Sequence, residues 1–276
     1  MAETAAAVCG EIRMRYARFG SGEDVLVMLP GMSVSSVAAL GPMLEVSCAE
    51  FAKRFTVYLF DRREEAPEGY SLTDMADDTA AVMTQLGIRS AAFYGTSQGG
   101  MIALALAERY PERVRALVMG SSLMRSNPSF TAVMRNWRRL ALAGGGRPLS
   151  EVFTDDVFSQ ATLEQFREAL VRNGMKYEPA ELRNFIRMTE ACLPDALDGC
   201  RLAEGLRQIA CPVLIMASRG DRVTTFAGAE DTARQLGDRC EFYAYGPEYG
   251  HAVYDEAPDF RSRACAFFEK ALQKTQ

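Results

Sequence analysis

The stretch AAFYGTSQGG at residues 91–100 joins an apolar run to a Gly-x-Ser-x-Gly sequence. The run AAFY is typical of a strand buried on both faces, and the apolar segment from Gln98 to Tyr110, which ends at Pro111, predicts a buried helix. A serine in so tight a strand-to-helix turn has to adopt a strained backbone conformation, and its flanking glycines allow the two backbones to approach closely. The pattern therefore predicts that the Ser97 hydroxyl is exposed at the carboxyl edge of a sheet, beside a helix N-terminus.

Other strand-like runs lie on either side of this turn. Residues 12–16 alternate between apolar and basic side chains, which predicts a half-buried antiparallel strand at a sheet edge. Four continuous apolar runs and one mixed run follow: VLVML at 25–29, VYLF at 57–60, ALVM at 116–119, VLIMA at 213–217 and EFYAY at 241–245. A capping box of Ser71 and Asp74 predicts a helix that ends at Gly87. Alternating strands and helices predict an α/β protein with a mostly parallel central sheet flanked by helices.

The alternation is interrupted once, between about residues 125 and 206. No good strand run occurs there, and apolar residues recur at helical spacing instead. Gly144, Gly145 and Gly146, with Pro148, separate the first helical stretch from the second. The sequence therefore predicts an all-helical insertion at 125–206 in a core formed by residues 1–124 and 207–276.

The first helical stretch of the insertion carries large apolar side chains. Phe130, Met134 and Trp137 are candidates for lining a pocket between the insertion and the core, although a stripe at helical spacing more often packs internally.

Composition excludes several classes of protein. The 276 residues include 31 basic and 36 acidic residues, a net charge of -5, which argues against binding to a nucleic-acid backbone. No apolar run approaches the roughly 18 residues of a membrane span, and the start MAETAAAVCG lacks the apolar region of a secretory signal. We therefore expect a cytoplasmic protein. The seven cysteines form no C-x-x-C pair, and with a single histidine a zinc site is not expected.

The only histidine, His251, follows the last strand-like run in a loop that leaves the carboxyl edge of the predicted sheet. A serine hydroxyl is a weak nucleophile and needs a base, so any chemistry that uses an imidazole has to use this residue. The base in turn needs a carboxylate to fix its tautomer. Asp221 follows the strand VLIMA after a short turn and is expected at the same edge.

Four other acidic residues compete with Asp221 for this role. Asp61 ends an earlier strand and is expected on the wrong side of the nucleophile, and Asp238 precedes its strand, at the opposite edge of the sheet. Asp255 comes four residues after His251 and is more typical of a helix cap. Glu248 lies in the histidine loop itself.

An oxyanion hole needs two donors aimed at the developing negative charge. The backbone N–H of Gln98, directly after the nucleophile, is one candidate. The loop Pro30-Gly31-Met32-Ser33 follows the strand VLVML, and the N–H of Met32 is the other candidate.

With these residues the chain resembles the α/β-hydrolase superfamily, in the branch with a helical cap between the sixth and seventh core strands. Three stretches carry the resemblance: GTSQGG at 95–100, DMADDTAAVMTQLGI at 74–88 and the PVLIMASRGD…GH arrangement from Pro212 to His251. The order Ser, Asp, His along the chain is that of the family. Two positions depart from the family pattern. Pro30-Gly31 replaces the usual His-Gly at the oxyanion turn, and Ser218 replaces the usual glycine ahead of the acid.

The predicted function is hydrolysis of a small-molecule ester, thioester or lactone through an acyl-enzyme on Ser97, with no metal or organic cofactor. C–C bond hydrolases, acyltransferases and cofactor-free haloperoxidases keep the same three residues and stay open. A haloalkane dehalogenase is excluded because its nucleophile is a carboxylate. The alternative is a ligand-binding receptor or signalling protein on the same fold, which turnover would distinguish. The sequence does not indicate the substrate or the oligomeric state.

Overall fold

The computed structural model of the chain describes residues 2–200 and 202–273; residues 1, 201 and 274–276, which fall within the predicted core and insertion boundaries, lie outside the described residues. The strands are β1 Glu3–Cys9, β2 Ile12–Phe19, β3 Asp24–Leu29, β4 Phe55–Arg63, β5 Ala91–Thr96, β6 Val114–Gly120, β7 Val213–Ser218 and β8 Cys240–Tyr245. Within the described residues they form one sheet in the order β1-β2-β4-β3-β5-β6-β7-β8. Pairing is antiparallel between β1 and β2 and between β2 and β4, and parallel elsewhere. The predicted α/β fold class is confirmed.

The helices flank this sheet and fill the interval between β6 and β7. The α-helices are α1 Gly41–Ser47, α2 Ala49–Arg54, α3 Leu72–Gln85, α4 Gln98–Arg109, α5 Pro128–Leu142, α6 Gly146–Val157, α7 Gln160–Gly174, α8 Pro179–Ala191, α9 Pro194–Leu197, α10 Leu202–Gly205, α11 Phe226–Leu236, α12 Val253–Glu256 and α13 Phe260–Gln273. The predicted capping box opens α3, because the Ser71 hydroxyl accepts from the Asp74 N–H while the Asp74 carboxylate accepts from the Ser71 N–H.

The sequence prediction was wrong at the amino-terminal edge of the sheet. The strand predicted at 12–16 is antiparallel, as expected, but it is not an edge strand, because β1 pairs along its whole length from Glu3 opposite Arg18 to Cys9 opposite Ile12. The segment ETAAAVC is rich in alanine, which has a low strand propensity, so it carries little signal of its own. Tertiary pairing with β2 determines its conformation.

The glycine run at 144–146 separates two helices of the insertion and also forms the start of the second one. Helix α6 begins at Gly146, and Pro148 lies in its first turn, where a missing N–H costs no intrahelical hydrogen bond. Between β6 and β7 the described residues contain helices α5 to α10 and no strand, as the spacing of apolar residues predicted. We call α5–α10 the helical insertion.

Parallel strands direct their carboxyl ends to one edge of the sheet, where ligands bind in open α/β folds. Apolar cores cover both faces, and β3, β5, β6 and β7 are almost wholly buried between them. The loops that follow β3, β5, β7 and β8 therefore meet at this edge on a rigid base. Among residues 2–200 and 202–273, we find no helix with the length and apolar character needed to cross a bilayer.

Candidate active site

The turn between β5 and α4 holds Ser97 in the strained conformation that the sequence predicted, with φ 51° and ψ -124°. Such a conformation costs a non-glycine residue about 1–3 kcal/mol, so its surroundings must impose it. The Ser97 N–H donates to the Gly120 carbonyl at 2.8 Å, and the Ser122 hydroxyl donates to the Ser97 carbonyl at 2.8 Å. A Cβ atom at Gly99 would lie 1.9 Å from the Leu29 carbonyl oxygen, which explains why only glycine fits there.

Asp221 and His251 come together at the predicted edge. Both carboxylate oxygens of Asp221 lie 3.0 Å from His251 Nδ1. The carboxylate also accepts from the N–H groups of Val223 and Thr224, at 2.8 and 3.0 Å, and from the Thr224 hydroxyl at 2.6 Å. Asp221 is 7% exposed and His251 is 2% exposed. The carboxylate therefore holds the ring orientation in a site shielded from bulk water.

The electrostatics of this pair favour an ionised Asp221. Burial alone would raise the pKa of the carboxyl, but the charge of a protonated His251 and the hydrogen bonds from His251, Thr224 and Val223 outweigh it and hold the pKa below its usual range. A buried carboxylate with this many donors can stabilise a positive charge on the imidazole.

The competing acidic residues do not contact His251. Asp61 lies inside β4 and accepts from the Ser36 hydroxyl and the Val37 N–H, and Asp238 precedes β8. Glu248 is exposed in the histidine loop. Asp255 was predicted to cap a helix, and that prediction was wrong. It lies within the single-turn helix α12 and pairs with Arg261 at 2.5 Å.

Ser97 and His251 face the same cavity, whose volume is about 230 Å³. No hydrogen bond joins their side chains in this structure. Gly31 and Met32 line the same cavity, and a Cβ atom at Gly31 would lie 3.1 Å from the Ser97 Cβ, so the loop after β3 passes directly beside Ser97.

The two predicted oxyanion donors are free to bind a ligand. Neither the Met32 N–H nor the Gln98 N–H has an acceptor within residues 2–200 and 202–273. The Gln98 side chain points elsewhere, because its Nε2 donates to the Met188 carbonyl at 2.9 Å and to Cys192 Sγ at 3.3 Å in and beside α8. Within Gln98, therefore, the backbone N–H and not the side-chain amide is the candidate donor to an oxyanion.

Of the three apolar residues singled out in the insertion, Trp137 lines the cavity. Its indole packs on Phe153 with ring centroids 4.5 Å apart, and its Nε1 donates to Asp156 at 2.8 Å. Phe130 and Met134 do not line the cavity and are buried in the core. For these two residues the packing interpretation of the stripe is correct.

A family model described as the alpha/beta hydrolase fold matches residues 24–258. The chain belongs to the α/β-hydrolase family. It is 28% identical, over 75% of its length and 77% of the relative's, to a Caulobacter sp. (strain K31) protein provisionally named carbamate hydrolase RutD. It is 22% identical, over 80% of both chains, to 3-oxoadipate enol-lactonase 2 of Acinetobacter baylyi. Its fold is similar to that of MGS-M2, an alpha/beta hydrolase enzyme from a Medee basin deep-sea metagenome library, with a TM-score of 0.81, 22% identity and coverage of 96% and 97%.

The first departure from the α/β-hydrolase pattern, Pro30-Gly31, is compensated by contacts from two other strands. Arg62 of β4 donates to the Pro30 carbonyl at 2.5 Å, and the Gly31 N–H donates to the Thr96 hydroxyl at 3.1 Å. The peptide unit between Pro30 and Gly31 is thus held at both its oxygen and its nitrogen. Burial lowers the pKa of the Arg62 guanidinium, an effect that the charge of Asp61 opposes. Sequence reasoning missed Arg62, since it follows the β4 apolar run without any motif.

The second departure, Ser218, joins the two loops that carry Asp221 and His251. The Ser218 hydroxyl lies 2.6 Å from the Tyr249 carbonyl and accepts from the Gly220 N–H at 3.0 Å. A glycine here could make neither contact. The α/β-hydrolase acid turn is therefore fastened to the histidine loop by a side chain that the family pattern lacks.

Proposed function

We propose that the chain is a serine hydrolase that cleaves an ester, thioester or lactone of a small molecule through an acyl-enzyme intermediate. The observation that carries the proposal is the buried Asp221–His251 pair, at 3.0 Å, whose His251 lines the same cavity as a serine held in a strained strand-to-helix turn. An ordinary Gly-rich turn would need neither the strain at Ser97 nor a buried carboxylate behind the only imidazole.

The reaction follows from the position of each group. Ser97 Oγ attacks the carbonyl carbon, and His251 Nε2 accepts the hydroxyl proton and then delivers it to the leaving group. Asp221 keeps the proton of the neutral ring on Nδ1 and stabilises the imidazolium. The N–H groups of Met32 and Gln98 bind the oxyanion of the tetrahedral intermediate. Water, activated by His251, then releases the acid and restores Ser97.

The site and the relatives together support cleavage of a bond between a carbonyl carbon and a heteroatom. The relatives include one named as a lactonase and one provisionally named as a carbamate hydrolase, and both names describe attack on a carbonyl bonded to a heteroatom. The cavity wall supplies apolar surface, with Trp137, Phe153 and Met28 among its lining residues. We propose that the helical insertion acts as the cap of this pocket, because it contributes Trp137 and Phe153 to the wall of the cavity that Ser97 lines.

A hydrolysis screen tests the proposal. Acyl esters of graded chain length, together with lactones, are offered to the wild type, to Ser97→Ala and to Ser21→Ala, whose serine is exposed and precedes β3, at the edge of the sheet opposite the site. We expect many turnovers per chain from the wild type and Ser21→Ala, and a loss of at least about 10³ in Ser97→Ala. A ligand that raises the melting temperature but is never turned over would support a receptor instead.

A further inference from the structure

The cavity continues well beyond the proposed catalytic residues. Its wall also includes Cys48, Tyr94, Tyr254, Asp255 and Arg261, which we call the far end; the Tyr254 ring adjoins His251, with ring centroids 6.3 Å apart. Tyr94 precedes Ser97 by three residues on β5, which places it about 10 Å away along the strand. The walls between are apolar, with Met28, Leu59 and Leu44 among them.

We propose that this cavity binds one arm of the substrate, and that its far end selects an arm that ends in an uncharged hydrogen-bonding group, such as a hydroxyl. The inference rests on the proposed hydrolase function, because it assumes that the reacting carbonyl lies at Ser97. It assigns a recognition role to Tyr94, Tyr254, Asp255 and Arg261, none of which takes part in the proposed chemistry.

The far end carries hydrogen-bonding capacity that the protein does not use. Among the residues that the structure describes, the hydroxyls of Tyr94 and Tyr254 have no hydrogen-bond partner, and Asp255 Oδ2 has none either. Arg261 pairs with Asp255 Oδ1 at 2.5 Å and also hydrogen-bonds to Cys48. Polar groups inside an otherwise apolar cavity cost free energy unless something pairs with them, so the site gains from a ligand that supplies donors and acceptors.

The far end combines a buried ring with an accessible ion pair. Tyr94 is 5% exposed, and burial raises the pKa of its phenol. The Asp255 side chain is 54% exposed, so its carboxylate is accessible to water or to a ligand. Tyr94, Asp255 and Arg261 line the same cavity.

The charges at the far end select against an ionised ligand group. Asp255 and Arg261 form a pair with no net charge. A carboxylate there would approach the Asp255 carboxylate, and an ammonium would approach the Arg261 guanidinium, so either ion would meet a like charge. A hydroxyl can donate to Asp255 Oδ2 and accept from a tyrosine or from Arg261. An uncharged donor and acceptor therefore fits this wall best.

The test compares two p-nitrophenyl esters whose acyl chains span about 10 Å, the separation set by the strand rise, and end in a methyl group or in a hydroxyl. A second pair carries the same arms on the alcohol side of an acetate ester. The preference for the hydroxyl is measured as a ratio of kcat/KM in the wild type, Tyr94→Phe, Arg261→Gln and the matched control Arg263→Gln, which lies on α13 outside the cavity. The preference is also measured as the ratio of binding affinities for the hydroxyl and methyl esters, with each variant in a Ser97→Ala background. Melting temperatures check that each variant is folded.

We expect the preference for the hydroxyl to fall about tenfold in Tyr94→Phe and in Arg261→Gln, and to stay unchanged in Arg263→Gln. Equal preferences in all four proteins, in both ester series, would overturn the inference even if Ser97-dependent hydrolysis persists. If no ester is hydrolysed but the preference in binding depends on Tyr94 and Arg261, the binding site stands and the hydrolase proposal fails.

Discussion

His251 is the only imidazole of the chain, and Asp221 is the only carboxylate within the described residues that contacts it. The pair is buried, and the carboxylate is already saturated by donors from Val223, Thr224 and the ring. An exposed carboxylate nearby could therefore not readily take over the role of Asp221. At the scale of single residues, the proposed mechanism therefore predicts a different observable effect for each member of the pair.

Asp221→Asn keeps the shape of the side chain but favours the wrong tautomer of the ring. In a serine protease triad the equivalent change costs about 10⁴ in kcat. We expect a loss of at least about 10² in kcat on a short-chain ester, with the fold intact by circular dichroism.

Matched changes at the competing acids serve as controls for Asp221→Asn. Glu248→Gln and Asp255→Asn should each cost less than about tenfold on the same ester, because neither carboxylate contacts the ring. If either of them proved essential while Asp221 was dispensable, the carboxylate would have to come from the histidine loop.

The pH dependence of kcat/KM should follow the titration of His251. Activity is expected to rise with pH through a single ionisation, because the ring must be neutral to accept the Ser97 proton. The lowered pKa of Asp221 keeps that carboxylate ionised throughout this range, so it adds no second step near neutral pH. The midpoint of kcat/KM should agree within about one pH unit with an NMR titration of the sole imidazole in the free enzyme. A larger disagreement would mean that another group limits the reaction.

At the scale of secondary-structure elements, the loop after β3 depends on residues from its neighbours. Arg62 of β4 and Thr96 of β5 hold the Pro30–Gly31 peptide from two sides, and both strands flank β3 in the sheet. The N–H of Met32 follows directly. An oxyanion donor works only if it is fixed before the charge develops, so we propose that these contacts preorganise the Met32 N–H for that role.

Arg62→Met tests this bracing. We expect kcat on a short-chain ester to fall about tenfold or more with little change in KM, because a misplaced oxyanion donor weakens binding of the transition state and not of the substrate. Affinity for a trifluoromethyl ketone that mimics the tetrahedral intermediate should fall by a similar factor. Arg63→Met, at the neighbouring position without a contact to the loop, is the control. Unchanged affinity for the ketone in Arg62→Met would show that the loop keeps its conformation without the contact from Arg62.

How far the sequence predicted these elements depended on whether a local pattern existed. The runs buried on both faces and the capping box at Ser71 were read correctly because burial and capping leave periodic signals. The strand ETAAAVC and the start of α6 at Gly146 were missed, since alanine and glycine carry weak or contrary propensities. In those two places tertiary contacts override local preference.

The same distinction holds for the site. Ser97 and the Asp221–His251 pair could be placed because each follows a strand at one edge of a sheet. The roles of Arg62 and Ser218 could not be predicted, since their partners, Pro30 and Tyr249, are distant in sequence and no motif links them. Asp255 was assigned to a helix cap because its position after His251 resembled one, whereas its partner Arg261 lies on the following helix.

At the scale of the whole molecule, the end of α6 and the turn that follows it contact both loops of the proposed acid and base. Arg222, next to Asp221, donates to the Asp155 and Phe158 carbonyls at 2.5 and 2.7 Å. Glu256, after His251, accepts from the Gly250 N–H at 2.7 Å and from the Ser159 N–H at 2.8 Å. The helical insertion therefore contributes to the position of the site as well as to its walls.

Glu256→Gln tests the coupling between the insertion and the histidine loop. A glutamine offers one carbonyl oxygen where the carboxylate satisfied two backbone donors, so one buried N–H loses its partner, at a cost of about 1–3 kcal/mol. We expect a lower melting temperature and a roughly tenfold lower kcat, measured on a short-chain ester. Glu248→Gln, in the same loop but exposed, should change neither. Full activity in Glu256→Gln despite a lower melting temperature would show that His251 keeps its position without this contact.

The most direct test of the proposed hydrolase is covalent labelling of the full chain with a fluorophosphonate, read by intact mass and by peptide mapping. Only an activated hydroxyl reacts with this probe at a useful rate, so we expect a single adduct, on Ser97, and none on Ser97→Ala. An adduct of undiminished yield on Ser97→Ala, or no adduct on the wild type, would contradict the assignment of Ser97 as the nucleophile.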